Sequence, residues 1–498
     1  MSGPDLSSPR AKNLALMVLA LTQFIVVIDA SITNVALPSI GKALDIDEKS
    51  LSWVVNSYTL VFGGFLLLGG RLADFLGRRR MFMIGMTLFG AASLAGGFAQ
   101  TEAWLIIARA VQGLGAAIAS PAALSIVTTT FAEGSERNRA LAIWGAVAGA
   151  GGAAGVLLGG VLTEWAGWEW VLFVNVPIAA FVVWQAPQRL VESREEEESE
   201  RTLDIPGAVT ITAGLALLVY GLVDAVNAGW GSSTTMLRIA GALVLIAAFV
   251  VIELRSRKPL VPFSIFRNRT LRGANVVGLL TGMSLFSMFF LITLYLQLVL
   301  GLSALDAGLA YLPLAVSIIL AAGMAGQLVT RLGFKPVVIT GMVTVGIALA
   351  WFSQISPDGT YLADVLVPSI LAGIGLGLTF VPVTIAAMSG TKREEAGLAS
   401  GLINTSQQVG GALGLAILSS IANSTTQDSF QTGASQLVAL TDGYSQAFVV
   451  GACFAIAGAI LAAILISSKD SCEHAEASSR RSEPTASRSK SLPPRAGH

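Results

Sequence analysis

Histidine and cysteine are almost missing from these 498 residues: the chain holds two of each. His474 and His498 fall in a polar C-terminal stretch, Cys472 lies beside them, and Cys453 sits in an apolar run. Without spaced thiols and imidazoles there is no disulfide framework and no ligand set for zinc or haem, and Ser-His catalysis lacks its base. The expectation is no metal, no cofactor and no enzyme. Charge is scarce as well. Only 12% of residues are charged, and 31 Asp and Glu balance 31 Lys and Arg, so no basic face is broad enough to track a nucleic-acid backbone. A phosphate-binding loop is absent too: Gly41-Lys42 is followed by Ala43 and has no upstream glycine at the required spacing. Any work the chain does is therefore expected to draw on an ion gradient.

What the sequence has in quantity is apolar length, with 54% hydrophobic residues. A helix needs about 20 apolar residues to cross a bilayer core, and fourteen nearly charge-free stretches meet that need. They are 13–41, 50–70, 81–101, 103–132, 140–163, 170–188, 205–223, 225–252, 273–305, 307–330, 336–357, 365–391, 396–427 and 443–468. The first run is too long for a signal peptide and has no small-residue cleavage site, so it reads as a retained helix. With the N-terminus inside, nearly every Lys and Arg falls in an inner loop, Lys42, Lys49 and Arg238 being the outer ones. The positive-inside rule then places both termini in the cytoplasm, and the acidic run Glu195–Glu198 does not oppose it because the rule counts bases. The chain is expected to be a multi-pass protein of the cell inner membrane or plasma membrane, with the bilayer as its surroundings. Beyond Ser468 few large apolar residues remain, so 468–498 reads as a disordered cytoplasmic tail.

The pattern repeats internally. Gly70-Arg71-Leu72-Ala73-Asp74-Phe75-Leu76-Gly77-Arg78-Arg79-Arg80 follows the second stretch, and Gly326-Gln327-Leu328-Val329-Thr330-Arg331-Leu332-Gly333-Phe334-Lys335 follows the tenth, at an offset of 256. The fold class this implies is an all-α membrane protein of fourteen transmembrane helices, built as two six-helix pseudo-symmetric bundles with a central two-helix insertion. The expected divisions are 1–190, 191–261, 262–467 and the tail. Two charges do not recur: Asp74 maps to Thr330, and at an offset of 260 Arg109 maps to Ser369. A charge absent from the second copy is not demanded by the architecture.

Ionisable groups at membrane depth mark a pathway or a partner. Asp29 and Arg109 lie in oppositely running helices, both in the outer half of the bilayer by the helical rise, and could meet. Burial and a neighbouring guanidinium act oppositely on a carboxylate's proton affinity, so opening the site to one side could change it. The alternative is a buried pair that only fixes packing. Thr22 and Thr33 share the face of Asp29, and Gln112 that of Arg109. Gly70 and Gly77 permit a turn, in which Asp74 among Arg78 and Arg80 suggests a loop locked by ion pairs; Arg79 reads as a topology signal. In the fifth stretch Gly145, Gly149, Gly152, Gly155 and Gly159 share one face, either for close packing or as a flexible seam. In the thirteenth, Asn404, Gln407 and Gln408 put three amides at lipid depth, for interhelical bonding or substrate contact.

These residues resemble the major facilitator superfamily, in its fourteen-helix drug:proton antiporter branch, over about residues 13–466. Asp29 with Ala36-Leu37-Pro38 resembles the branch's first-helix motif, and Gly70–Arg80 the superfamily's loop signature. Arg109-Ala110-Val111-Gln112-Gly113 resembles the fourth-helix motif, whose Arg is implicated in proton transfer. Trp53–Tyr58 and Trp168–Pro177, with Asn175, resemble the starts of the second and sixth helices. Gly155, Gly159 and Gly160 match the fifth-helix antiporter motif, but Val156 stands where its proline is usual. The resemblance implies alternating access around a central cavity, with protons entering as a hydrophobic, neutral or cationic drug or antibiotic leaves, and a monomer at work. Export of a self-made secondary metabolite or siderophore is the second reading; a membrane-embedded lipid-processing enzyme and a receptor that does not transport are the rivals from other classes.

Overall fold

The computed structural model describes residues 8–46, 53–132, 134–193, 204–256, 259, 261–391 and 396–482, and among these every regular element is helical. In chain order they are α1 (Pro9–Leu44), α2 (Trp53–Leu76), α3 (Arg78–Gly97), α4 (Glu102–Thr130), α5 (Ser135–Trp165), α6 (Trp170–Phe173), α7 (Asn175–Arg189), α8 (Ile205–Ala228), α9 (Ser233–Arg255), α10 (Arg269–Leu294), α11 (Ala304–Ala310), α12 (Leu312–Leu332), α13 (Phe334–Phe352), α14 (Val367–Met388), α15 (Ala396–Gln431), α16 (Gln436–Leu465) and α17 (Ser468–Ser482). Short polar side chains start many of them: Ser8, Thr101, Asp204, Ser232, Asn268, Ser303 and Ser435 each accept a bond from a first-turn N–H, as N-caps do. Single-turn π-helices extend α10 over Tyr295–Val299 and precede α14 over Tyr361–Leu366.

Ten of the helices are long and apolar enough to cross a membrane, or eleven when the two arms of α5 count as one span. Among the fourteen stretches, α8 contributes only a shorter apolar helix, Pro206–Leu222. The α3 helix opens on Arg78, Arg79 and Arg80, and α15 is diluted by Asn404, Gln407 and Gln408. The α5 helix bends by 41° between Ser135–Gly152 and Ala154–Trp165. The bend falls at the glycines, one turn before Val156, so it does not need the proline that Val156 replaces.

Packing follows the repeat. The α4 helix packs on α2 and α3, and α1 on α5 and α7; later in the chain α14 packs on α12 and α13, and α10 on α15 and α16. The two groups meet along α5–α12 and α2–α15. The pair α8–α9 leans on α2 and α15 through α8, and α9 presents Leu237, Leu243, Val244 and Leu254 outward as lipid-facing side chains would lie. Between these two helices, near their connecting loop, Arg238 of α9 is ion-paired with Asp224 of α8 and covers the Tyr220 ring at 4.3 Å.

Two expectations are corrected. Residues 70–76 are not a loop: α2 continues to Leu76, and the turn is the single residue Gly77, at φ 105°. Leu72 and Ala73 carry the apolar pattern onward, so the helix outlasts its charged positions. Gly333 makes the matching turn at φ 83° between α12 and α13. The tail is not disordered from Ser468 either. It forms α17 through Ser482, capped by the Ser467 hydroxyl, which accepts from Asp470 N–H at 3.2 Å. Docking contacts rather than an apolar core order it, and composition does not reveal such contacts. Residues 483–498 and Glu195–Glu198 lie outside the described residues.

Candidate functional site

Asp29 and Arg109 meet. Arg109 Nη1 is 2.5 Å from Asp29 Oδ2, and both side chains are fully buried. Helical spacing brings Gln112 onto the same face of α4 as Arg109, where its Oε1 accepts from Arg109 Nη1 at 2.7 Å and its Nε2 donates to Asp29 Oδ1 at 2.7 Å. From α7, Asn175 Nδ2 donates to the same Oδ1 at 2.7 Å. Ser93 on α3 accepts from both amides at 3.1 Å and donates to Leu172 O at 2.9 Å. The second helix closes the site: Arg109 Nε donates to Val54 O at 3.1 Å, and the guanidinium lies 4.6 Å from the Tyr58 ring centre. Gly113 admits α2 closely, since a Cβ there would stand 2.5 Å from Tyr58 O.

This arrangement has a chemical consequence. Among the described residues the atoms bonded to the Asp29 oxygens are all donor nitrogens, one from a guanidinium and two from amides, while Asn175 Oδ1 is buried with no partner. The geometry therefore suits a carboxylate, and a protonated Asp29 is accommodated when the Asn175 amide turns so that its Oδ1 accepts the O–H. Replacing one partner is costly, because an unpaired charge in such a place costs about 3–5 kcal/mol. Thr22 and Thr33 are buried, but their hydroxyls donate to Val18 O and Asp29 O of their own helix, so neither enters the network. Sequence reasoning missed Ser93 and gave Asn175 and Tyr58 no site role; the last two were visible within the motifs at the starts of the sixth and second helices.

The opposite half departs from this at equivalent positions. At the offset of 260 that separates the starts of α1 and α10, Asp29 maps to Phe289. Phe289 stacks on Tyr311 with centroids 5.4 Å apart and planes 7° apart, and its edge faces Gly152 of α5. Asn404, Gln407 and Gln408 do not converge: Asn404 bonds back to Ser400 O, Gln407 lies against Gly278 of α10, and Gln408 against Gly63 of α2.

The glycine face of α5 divides at the bend. Before it, Gly145 backs onto Val381 of α14 and Gly152 onto Phe289; after it, Gly155 and Gly159 lie against Ser31, Ile28 and Ile32 of α1. Gly149 is helical between them and Gly160 is buried.

At the Gly77 end, Asp74 is fully buried. Its Oδ1 accepts from Arg78 Nη2 at 2.9 Å and Nε at 3.1 Å, and its Oδ2 from Leu398 N–H at 3.1 Å, at the start of α15 in the other group. Glu192 receives the backbone N–H groups of Arg79 and Arg80 at 3.0 and 3.1 Å. A Cβ at Gly77 would crowd that carboxylate at 2.8 Å, so both φ and space call for glycine there. Gly70 is buried in the helix, and the Arg80 side chain is exposed. The repeat-related contact is weaker: Asn138 Nδ2 at the start of α5 donates to Thr330 Oγ1 at 3.2 Å. Among the described residues no group of three or more His, Cys, Asp or Glu is placed to hold a metal ion.

The family model described as Major Facilitator Superfamily matches residues 19–415. The chain is 42% identical to the cephamycin export protein CmcT of Amycolatopsis lactamdurans, over 91% of this chain and 92% of that one. It is 36% identical to the puromycin resistance protein pur8 of Streptomyces alboniger, over 93% and 91%. It is 35% identical to the lincomycin resistance protein of Streptomyces lincolnensis, over 83% and 85%. In fold it is similar to the human organic anion transporter MFSD10, with TM-score 0.66 at 14% identity over 91% of this chain and 100% of that one. The proton:xylose symporter XylE is also similar, with TM-score 0.61 at 15% identity over 93% and 98%.

Proposed function

The chain belongs to the major facilitator superfamily, and from that premise we propose that it is a proton-coupled antiporter exporting a hydrophobic, neutral or cationic antibiotic-like compound by alternating access. The observation that carries the reading is the Asp29 carboxylate held wholly by donors. Protonation removes the attraction to Arg109 and turns one acceptor oxygen into a donor, so the bonds that tie α4 and α7 to Asp29 of α1 change with it. Deprotonation restores the bonds. A proton taken at Asp29 thus changes the packing of the first six-helix bundle, and release returns it. Fourteen crossings with both termini inside put the Gly77 and Gly333 turns at the cytoplasmic face, closed by Asp74 to Leu398 and Asn138 to Thr330. Phe289, whose ring edge faces Gly152 of the seam, supplies apolar surface suited to a hydrophobic cargo.

The relatives named for cephamycin export and for puromycin and lincomycin resistance support antibiotic efflux. Cargo made by the same cell is the second reading, which the word export in the first of those names favours. Everted membrane vesicles with an acidic lumen, a fluorescent drug and an internal pH dye test the reading. Drug uptake that stops with a protonophore and is matched by lumenal alkalinisation is expected. Uptake indifferent to the pH gradient would overturn the coupling, and binding without uptake would make the protein a receptor.

A further inference from the structure

The α17 helix lacks an apolar stripe, yet it lies on the molecule along one face formed by Asp470, Ser471, His474 and Ala475. It is tied to the second half at several points, Lys335 Nζ donating to Ser468 Oγ at 2.9 Å among them. The Thr270 hydroxyl at the start of α10 donates to Asp470; Ser471 Oγ accepts from Lys335 N–H at 3.0 Å at the start of α13; and Ser471 presses against Gly333 so closely that a Cβ would not fit. A further contact crosses to the first half. His474 Nε2 is 3.1 Å from Asn138 Oδ1 on α5, while the ring packs edgewise on Phe334 with centroids 5.7 Å apart. Asn138 is the residue whose amide donates to Thr330.

The repeat gives this contact its meaning. Asp74 and Leu398 are related to Thr330 and Asn138 by the offsets of 256 and 260, so the molecule closes this end twice with the same pair of elements. On one side the acceptor is a buried carboxylate; on the other it is a hydroxyl, a weaker acceptor. Among the described residues the tail helix arrives at the hydroxyl side, where it bonds the amide oxygen of the same asparagine.

We propose that α17 is a strap, carried by the second half, that reinforces the weaker of the two closures by holding α5 through His474 and Asn138. Opening of this end requires His474 to leave Asn138, so the strap sets the ratio of closed to open states. The two ends differ: the second half holds α17 through Ser468, Asp470 and Ser471 together, whereas the bond to α5 is made by His474.

The test is the distribution of distances between spin labels at Arg139→Cys on α5 and Arg331→Cys on α12, both exposed positions, in full-length protein with Cys453 and Cys472 replaced by Ala. It needs no substrate, so its outcome stands apart from that of the export reading. His474→Ala is expected to raise the open population about fivefold, the scale set by losing one hydrogen bond. Ser471→Ala, which leaves the Asp470 and Ser468 anchors in place, should shift it less, and Lys469→Ala, on the exposed face, should change nothing. A wild-type distribution for His474→Ala would overturn the strap, as would a shift with Ser471→Ala or Lys469→Ala as large as with His474→Ala.

Discussion

The two halves place unlike chemistry at like positions. Where the first half has Asp29, Arg109, Gln112 and Ser93, the second has Phe289, Ser369, Ala372 and Leu349 at the offsets of 260 and 256. Ala372 and Leu349 are buried in the hydrophobic core, so the second half closes the same region with packing rather than with a hydrogen-bonded charge. One backbone plan accommodates both. The ion pair is therefore not needed to make such a bundle, and its desolvation cost is borne in one copy only. The proposal of a proton site in the first half and an apolar surface in the second rests on that asymmetry.

The harshest way to break the comparison is to remove the charge on one side and its counterpart on the other. Arg109→Ala should destabilise the protein by about 3–5 kcal/mol, because it leaves the Asp29 carboxylate buried without its counter-charge. Ser369→Ala should stay within about 1 kcal/mol of wild type. Denaturation of the purified protein in detergent measures both, and equal losses would mean that the two positions are equivalent after all.

The seam gives a smaller contrast within α5. A methyl at Gly155 would collide with Ser31 and stand 2.9 Å from Ile28 O, whereas at Gly152 it would meet the Phe289 ring at 3.5 Å, an ordinary contact. Gly155→Ala should cost about 1–3 kcal/mol of stability as overpacking does, and Gly152→Ala should leave stability unchanged. Thermal unfolding separates them.

The mildest contrast lies between the two closures. Asp74→Asn keeps an acceptor for Leu398 N–H but loses the charge that holds Arg78, so turnover should fall about tenfold with substrate affinity retained. Thr330→Ala should change turnover by about threefold or less, the scale of one neutral hydrogen bond. Initial export rates and equilibrium binding, at matched protein abundance, check both. A proportional loss of binding in Asp74→Asn would remove the closure from the mechanism.

Much of this was legible in the chain because charges at membrane depth are costly and so conspicuous. Asp29 and Arg109 stood out singly, and Gln112 followed from helical spacing. Serine is cheap in a helix, which hid Ser93. Thr22 and Thr33 were placed on the correct face yet lie outside the network, because a hydroxyl can satisfy itself on the carbonyl one turn back, a bond that spacing does not reveal. The amides of α15 share one helix but face different neighbours, Gln407 toward α10 and Gln408 toward α2. Helix ends were the least legible: charged residues near Asp74 read as loop although α2 carries them, and the polar composition of α17 hid a helix that forms by docking.

The central claim is that Asp29 takes up and releases the transported proton. Asp29→Asn keeps the size of the side chain but cannot titrate. Its most direct test is lumenal alkalinisation evoked by drug in acid-loaded everted vesicles, wild type against Asp29→Asn at equal abundance, with binding of a neutral drug measured alongside. The account predicts that the variant inserts and binds the drug but shows no drug-evoked proton movement. Wild-type proton exchange by Asp29→Asn would contradict it.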